Sequence, residues 1–195
     1  MKVAEKIRLK QKTIVEAAER LFLANGYSGT TMDAVALEAG VTKQTVYRYF
    51  PSKVSLFTAL LGRFDEDETE FFFSSEGDLA EELRLYGVAF LTRHMRSRNL
   101  ALFRLMLSES KHSSELGDLF RFHAQPYWLG KLTLFLSQYL PEQEAKAYAH
   151  MYNAMLLSKR TPLLMRREEG MTAEQIRNHV DFSLQLFLHG LPLDR

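Results

Sequence analysis

The 195-residue chain has no cysteine, which excludes disulfides, thiolate metal sites and a cysteine nucleophile together. It has no run of about 18 or more apolar residues, and its amino terminus lacks the basic, apolar, small-residue order of an export signal. Neither membrane insertion nor secretion is expected, and a cytoplasmic location is. There is no G-x-G-x-x-G, no Walker-type phosphate loop and no H-E-x-x-H stretch. The six histidines, His94, His112, His123, His150, His179 and His189, form no pair at i, i+3 or i, i+4. Glu109 with His112 is the nearest approach to a metal pair. The acidic run Asp65-Glu66-Asp67-Glu68 offers hard oxygen ligands, but successive helix residues point in different directions and cannot converge on one ion. It reads as a solvated helix face. No cofactor or metal is expected, and an enzyme would need titratable groups converging through the fold.

Strand alternation is also missing, whereas apolar residues recur at helical spacing almost throughout. With 46% hydrophobic and 25% charged residues, the chain is long enough for a small head and a second core of ordinary size. The expected fold is all-α, about nine helices, with a three-helix head over residues 1–52 and a helical body over 53–195. The formal net charge of +1 hides an asymmetry: residues 1–60 hold nine Lys and Arg against five Asp and Glu, the remainder 16 against 19. Lys2, Lys6, Arg8, Lys10 and Lys12 precede the first apolar stripe, either as a phosphate-seeking arm or as a solvated terminus.

The most specific pattern is Thr30 to Lys53. Met32, Val35, Ala36 and Ala39 mark one short helix with Thr30 or Thr31 as its N-cap. Ala39-Gly40-Val41 makes a tight turn, and Thr42 caps a second helix that runs to Phe50 and ends at Pro51. That second helix buries Val46 and Phe50 but leaves Lys43, Gln44, Thr45, Tyr47, Arg48 and Tyr49 near its outer side. Such a face is too rich in donors for an ordinary αα-hairpin and suits a DNA groove. Thr42, Lys43, Gln44 and Thr45, at the amino-terminal end, are the candidate base readers: Gln44 can pair adenine and Lys43 guanine. Thr31, Tyr47, Arg48, Tyr49 and Lys53 are the candidate phosphate anchors.

The same residues resemble the amino-terminal signature of the TetR family of bacterial transcriptional regulators. The elements are Leu21-Phe22, Gly26-Tyr27, Thr30-Thr31, Ala39-Gly40-Val41, Tyr47-Arg48-Tyr49-Phe50 and Ser52-Lys53, followed by Leu56. Val54 departs from the acidic residue that often follows the lysine. The stretch Leu102–Glu109 with Glu115-Leu116 is loosely similar to the carboxy-terminal domain of AefR-like regulators.

In the body, the first helix after the head is expected to run from Pro51 to near Ser74 or Gly77. Breaks follow at Gly77-Asp78, Arg98-Asn99, Ser113-Ser114, Leu140-Pro141 and Glu169-Gly170. Pro126 should kink or break a helix between Glu115 and Tyr139 and loosen the packing nearby. The last two long helices, about Pro141 to Arg167 and Thr172 to His189, carry more apolar residues than one neighbour needs, which suggests a homodimer. The resemblance implies the same, a four-helix bundle formed by those helices. Most body aromatics should be core. A subset, Phe90, Phe103, Met106, Tyr127, Trp128 and Tyr152, with His94, His123 and Asn153 as polar groups, is the candidate lining of an effector pocket. The resemblance implies a small-molecule effector between body helices.

Together these features predict a sequence-specific DNA-binding regulator, a repressor that binds a palindromic double-stranded operator as a dimer and is released by a small molecule. The alternative is a DNA-bound protein acting through another protein.

Overall fold

The computed structural model describes residues 3–62, 71–110, 126–166 and 170–192. The acidic run at 65–68, His112, Ser113-Ser114, Glu115-Leu116, Phe120, Phe122 and His123 lie outside these residues. The described residues are helical with no strand. They form α1 (Val3–Gly29), α2 (Met32–Glu38), α3 (Lys43–Tyr49), α4 (Lys53–Gly62), α5 (Leu79–His94), α6 (Ser97–Glu109), α7 (Pro126–Leu136) and α8 (Glu142–Leu156). A 3₁₀ turn (Leu157–Lys159), α9 (Arg160–Arg166) and α10 (Ala173–Gly190) complete them. Counting α8, the 3₁₀ turn and α9 as one bent rod, the described residues contain nine helices.

The chain divides into two compact units, Met1–Glu68 with Ala101–Ala124, and Thr69–Leu100 with Gln125–Arg195. In the first, α1 turns Ile14, Ala17, Ala18 and Phe22 inward on one stripe, and all four are fully buried. Phe22 stacks on Tyr27 at 5.5 Å and meets Phe57 of α4 edge-on at 5.2 Å. Aromatic pairs of this kind add about 0.5–1.5 kcal/mol beyond the area they bury. Val35 and Ala36 of α2, Val46 of α3 and Leu56 and Leu60 of α4 close this core, joined by Leu102, Leu105 and Met106 of α6.

A backbone break interrupts α1 at Gly26. Gly26 has φ 77° and ψ 168°, a region open essentially to glycine alone, and a short helical turn follows to Gly29. Thr31 caps α2 by accepting from the Ala34 N–H at 3.1 Å, and Thr42 caps α3 by accepting from the Thr45 N–H at 3.2 Å. Gly40 makes the turn between them at φ 63°. Phe50, before Pro51, leaves the helical region at φ −134°, ψ 96°. Ser52 and Ser55 then cap α4 reciprocally, each hydroxyl accepting from the other's backbone N–H at 3.0 Å.

The second unit is built on α5, α7, α8 and α10. α7 packs on α8, and α10 packs on both α5 and α8. Asp78 caps α5 by accepting from the Ala80 and Glu81 N–H groups, and Thr172 forms a capping box with Gln175 at the start of α10. Tyr86, Phe90, Trp128, Leu132, Phe135, Tyr152, Val180 and Phe187 are core. One expectation is corrected. Residues 71–74 are not helical, so the helix from the head does not continue to Ser74. Three consecutive phenylalanines explain this: Phe71 and Phe73 both pack against the Tyr86 ring while Phe72 between them is exposed. Pro126 is the first described residue of α7, and the stretch before it, against which the expected kink or break would be judged, lies outside the described residues.

Candidate nucleic-acid interface

α3 is held from behind by apolar contacts and leaves its polar face bare. Val46 is fully buried and Phe50 nearly so, while Thr42, Lys43, Gln44, Tyr47 and Arg48 are exposed and Thr45 and Tyr49 half-buried. The four expected base readers therefore sit together on the first turn of the helix. At that end the backbone N–H groups and the positive end of the helix dipole favour an anion. Thr31 is exposed at the start of α2.

Three of these side chains have partners that spacing did not reveal. The Lys43 ammonium is gripped by both carboxylate oxygens of Asp33, at 2.8 and 2.9 Å, and lies 5.9 Å from the Tyr47 ring centre. Hydrogen bonding to Asp33 raises its already high pKa, so it is a fixed cation. Arg48 lies over the Tyr49 ring at 4.9 Å and donates to its hydroxyl at 3.3 Å, so two expected phosphate anchors form one unit. Lys53, expected at a phosphate, donates inward to the Tyr27 and Thr30 carbonyls at 2.8 and 3.0 Å and covers the Tyr27 ring at 4.4 Å. Two of its three N–H donors thus tie α4 to the segment that positions α2.

Sequence reasoning also missed Glu109. It accepts from the Ser28 hydroxyl at 2.6 Å and the Ser28 N–H at 3.3 Å, joining the end of α6 to the turn after Gly26. No local signal links residues 81 apart.

Residues 14–60 match the model of the bacterial regulatory proteins of the tetR family, a span containing all of α2 and α3. The chain is 33% identical over 85 residues to the HTH-type transcriptional regulator YvkB of Bacillus subtilis, 44% of this chain and 45% of that one. It is 43% identical over 60 residues to the transcriptional repressor KstR of Mycolicibacterium smegmatis, covering 31% and 29% respectively. These matches span less than half the length of either regulator. A solved structure similar along the whole chain is that of the flavonoid-responsive regulator FrrA, with 27% identity, a TM-score of 0.75, and 92% of this chain and 95% of that one covered. The chain thus carries a tetR-type amino-terminal segment, and its fold is similar to that of TetR-family regulators.

The expected pocket residues separate. Phe103 and Met106 belong to the core of the first unit. Phe90, Trp128, Tyr152 and Asn153 are buried in the second, His94 is half-buried there and Tyr127 exposed. The Tyr86 hydroxyl lies 2.9 Å from Asn153 Oδ1 and 3.1 Å from the Trp128 carbonyl, and burial raises its pKa beyond any physiological relevance. A separate groove of about 610 Å³ lies along α9 and the first half of α10, lined by Lys159, Leu163, Met171, Asn178, His179 and Phe182 among others. None of the expected pocket residues among the described ones lines it.

Proposed function

We propose that the chain is a repressor which binds a palindromic operator as a homodimer and leaves it when a small molecule occupies the body. The observation that carries this reading is the exposed first turn of α3, where Thr42, Lys43 and Gln44 stand clear of the core. Thr42, Lys43, Gln44 and Thr45 meet base edges, and Thr31, Tyr47, Arg48 and Tyr49 meet phosphates, with residues 1–52 as the DNA-reading part and 53–195 as the sensing and dimerising part. Lys53 supports this surface from behind.

A seven-residue helix offers few base contacts, so selectivity requires a second copy. Met151 of α8 and Phe182 and Leu186 of α10 are large apolar side chains more than half exposed, and a two-fold contact through these helices would bury them. KstR is named a repressor and FrrA is named flavonoid-responsive, which supports repression and small-molecule release here. Such a protein works in the cytoplasm.

Footprinting of the full-length chain on genomic DNA, repeated with candidate effectors, tests the reading. A symmetric protected site lost on adding one compound supports it. Protection that no compound changes removes the effector part, and protection without symmetry removes the dimer part.

A further inference from the structure

α2 packs against both α1 and α3, and it carries two carboxylates. Glu38, at its end, pairs with Arg20 of α1 at 2.8 Å. Asp33, in its first turn, pairs instead with Lys43, the first residue of α3 and one of the four assigned to base edges. This second pair is exposed on both sides, 62% for Asp33 and 59% for Lys43, and an exposed ion pair adds little to folding stability.

Its place in the surface matters more. α3 holds two cations, Lys43 and Arg48, and no acid. Facing a polyanion, each lysine or arginine that reaches a phosphate adds affinity that is blind to sequence. Lys43 is already held: Oδ1 and Oδ2 of Asp33 stand 2.8 and 2.9 Å from its Nζ. An ammonium has three N–H donors, and Asp33 takes two of Lys43's.

The remaining donor meets the two kinds of acceptor on DNA unequally. Guanine O6 and N7 in the major groove carry no net charge, so a single N–H can reach them with the ion pair intact. A phosphate oxygen is an anion. Drawing Lys43 to it either sets two anions against one ammonium or strips Asp33 and leaves a bare carboxylate beside DNA, and both oppose binding.

We propose that Asp33 is a specificity-determining residue that acts through Lys43: it withdraws the lysine's charge from phosphates and reserves the last N–H for a guanine edge. This role rests on the reading of α3 as the helix that meets DNA, and it adds a residue of α2 to that site.

Salt titrations of the full-length protein on two probes test it: alternating poly(dA-dT), which has no guanine, and the duplex that wild type enriches from a random pool. Asp33→Asn should bind poly(dA-dT) about three- to tenfold more tightly at low salt, with a salt slope steeper by about one unit, because Lys43 becomes free to meet a phosphate. The ratio of selected-duplex to poly(dA-dT) affinity should fall at least about threefold. Lys43→Gln should keep the poly(dA-dT) slope within about half a unit of wild type, since the charge it removes was already held. In that background Asp33→Asn should leave the slope unchanged.

An Asp33→Asn slope equal to wild type overturns the role while leaving DNA binding intact. The same steepening with and without Lys43 also overturns it, since Asp33 is then a general repulsive charge. The Lys43→Gln comparison stands even where Asp33→Asn does not fold: loss of about one unit of slope marks Lys43 as an ordinary phosphate anchor and overturns the role. Wild type that enriches no duplex overturns the DNA-reading account and this role together.

Discussion

Lys53, in the first turn of α4, donates to the Tyr27 carbonyl at 2.8 Å while its ammonium covers the Tyr27 ring at 4.4 Å. One lysine therefore closes the end of α1, satisfies a second carbonyl at Thr30 and fixes where α2 begins. Hydrogen bonds from a charged group contribute about 1.5–3 kcal/mol where they are partly buried. Lys53→Ala should lower folding stability by roughly 1–3 kcal/mol, measured by urea denaturation, and Lys53→Arg should recover part of it. An unchanged midpoint for Lys53→Ala would show that the side chain faces solvent.

Gly26 has a backbone conformation at φ 77°, ψ 168°, and a Cβ placed there would lie 2.9 Å from Glu109 Oε1. Gly26→Ala is expected to cost about 1–3 kcal/mol for the backbone alone. In a Glu109→Ala background the side-chain contact disappears but the backbone strain remains, so the alanine should still destabilise, by less. A neutral Gly26→Ala in both backgrounds would contradict the geometry.

The exposed face of α3 predicts two kinds of DNA phenotype. Gln44→Ala should relax preference at one base position by about 1–3 kcal/mol and leave non-specific binding nearly unchanged. Arg48→Ala should weaken binding to every sequence and reduce the salt slope by about one unit, since Arg48 and Tyr49 form a phosphate-facing pair in this reading. Competition titrations at several salt concentrations separate the two, and uniform losses for both variants would dissolve the distinction.

His94 gives a pH dependence with a definite sign. Its pKa falls from the ordinary 6.5 to about 4, mainly through burial. Between these values the unfolded chain binds a proton that the folded chain refuses, so stability is full above about pH 6.5 and declines as pH falls towards 4. The shift corresponds to at most about 3 kcal/mol. His94→Asn should flatten that part of the stability profile relative to wild type, and identical profiles between pH 6.5 and 4 would mean that His94 titrates normally.

The head was legible because local rules govern it. Thr31 and Thr42 are caps, Gly40 is a turn at positive φ, Phe50-Pro51 is a helix end, and each follows from neighbours a few residues away. The apolar stripe of α1 and the helical class followed in the same way. What escaped was long-range or conditional on packing. Asp33 and Lys43 lie on different helices, Ser28 and Glu109 are far apart in sequence, and the inward turn of Lys53 depends on two carbonyls that only the folded α1–α2 segment presents. Phe71–Phe73 reads as a helical continuation until the Tyr86 ring is available to take two of the three side chains. Phe103 and Met106 carry the same apolar character as Phe90 and Trp128, so composition alone assigned them to one pocket although they pack in different cores.

Selection of bound duplexes from a random pool, with full-length wild type and Gln44→Ala in parallel, tests the central claim most directly. A two-fold symmetric sequence is predicted, with half-site centres one helical turn or a multiple apart, about 34–36 Å per turn, and with one symmetric position relaxed in the variant. Failure to enrich any sequence, or enrichment of the same sequence with undiminished preference by Gln44→Ala, would contradict the account of α3 as the reading surface.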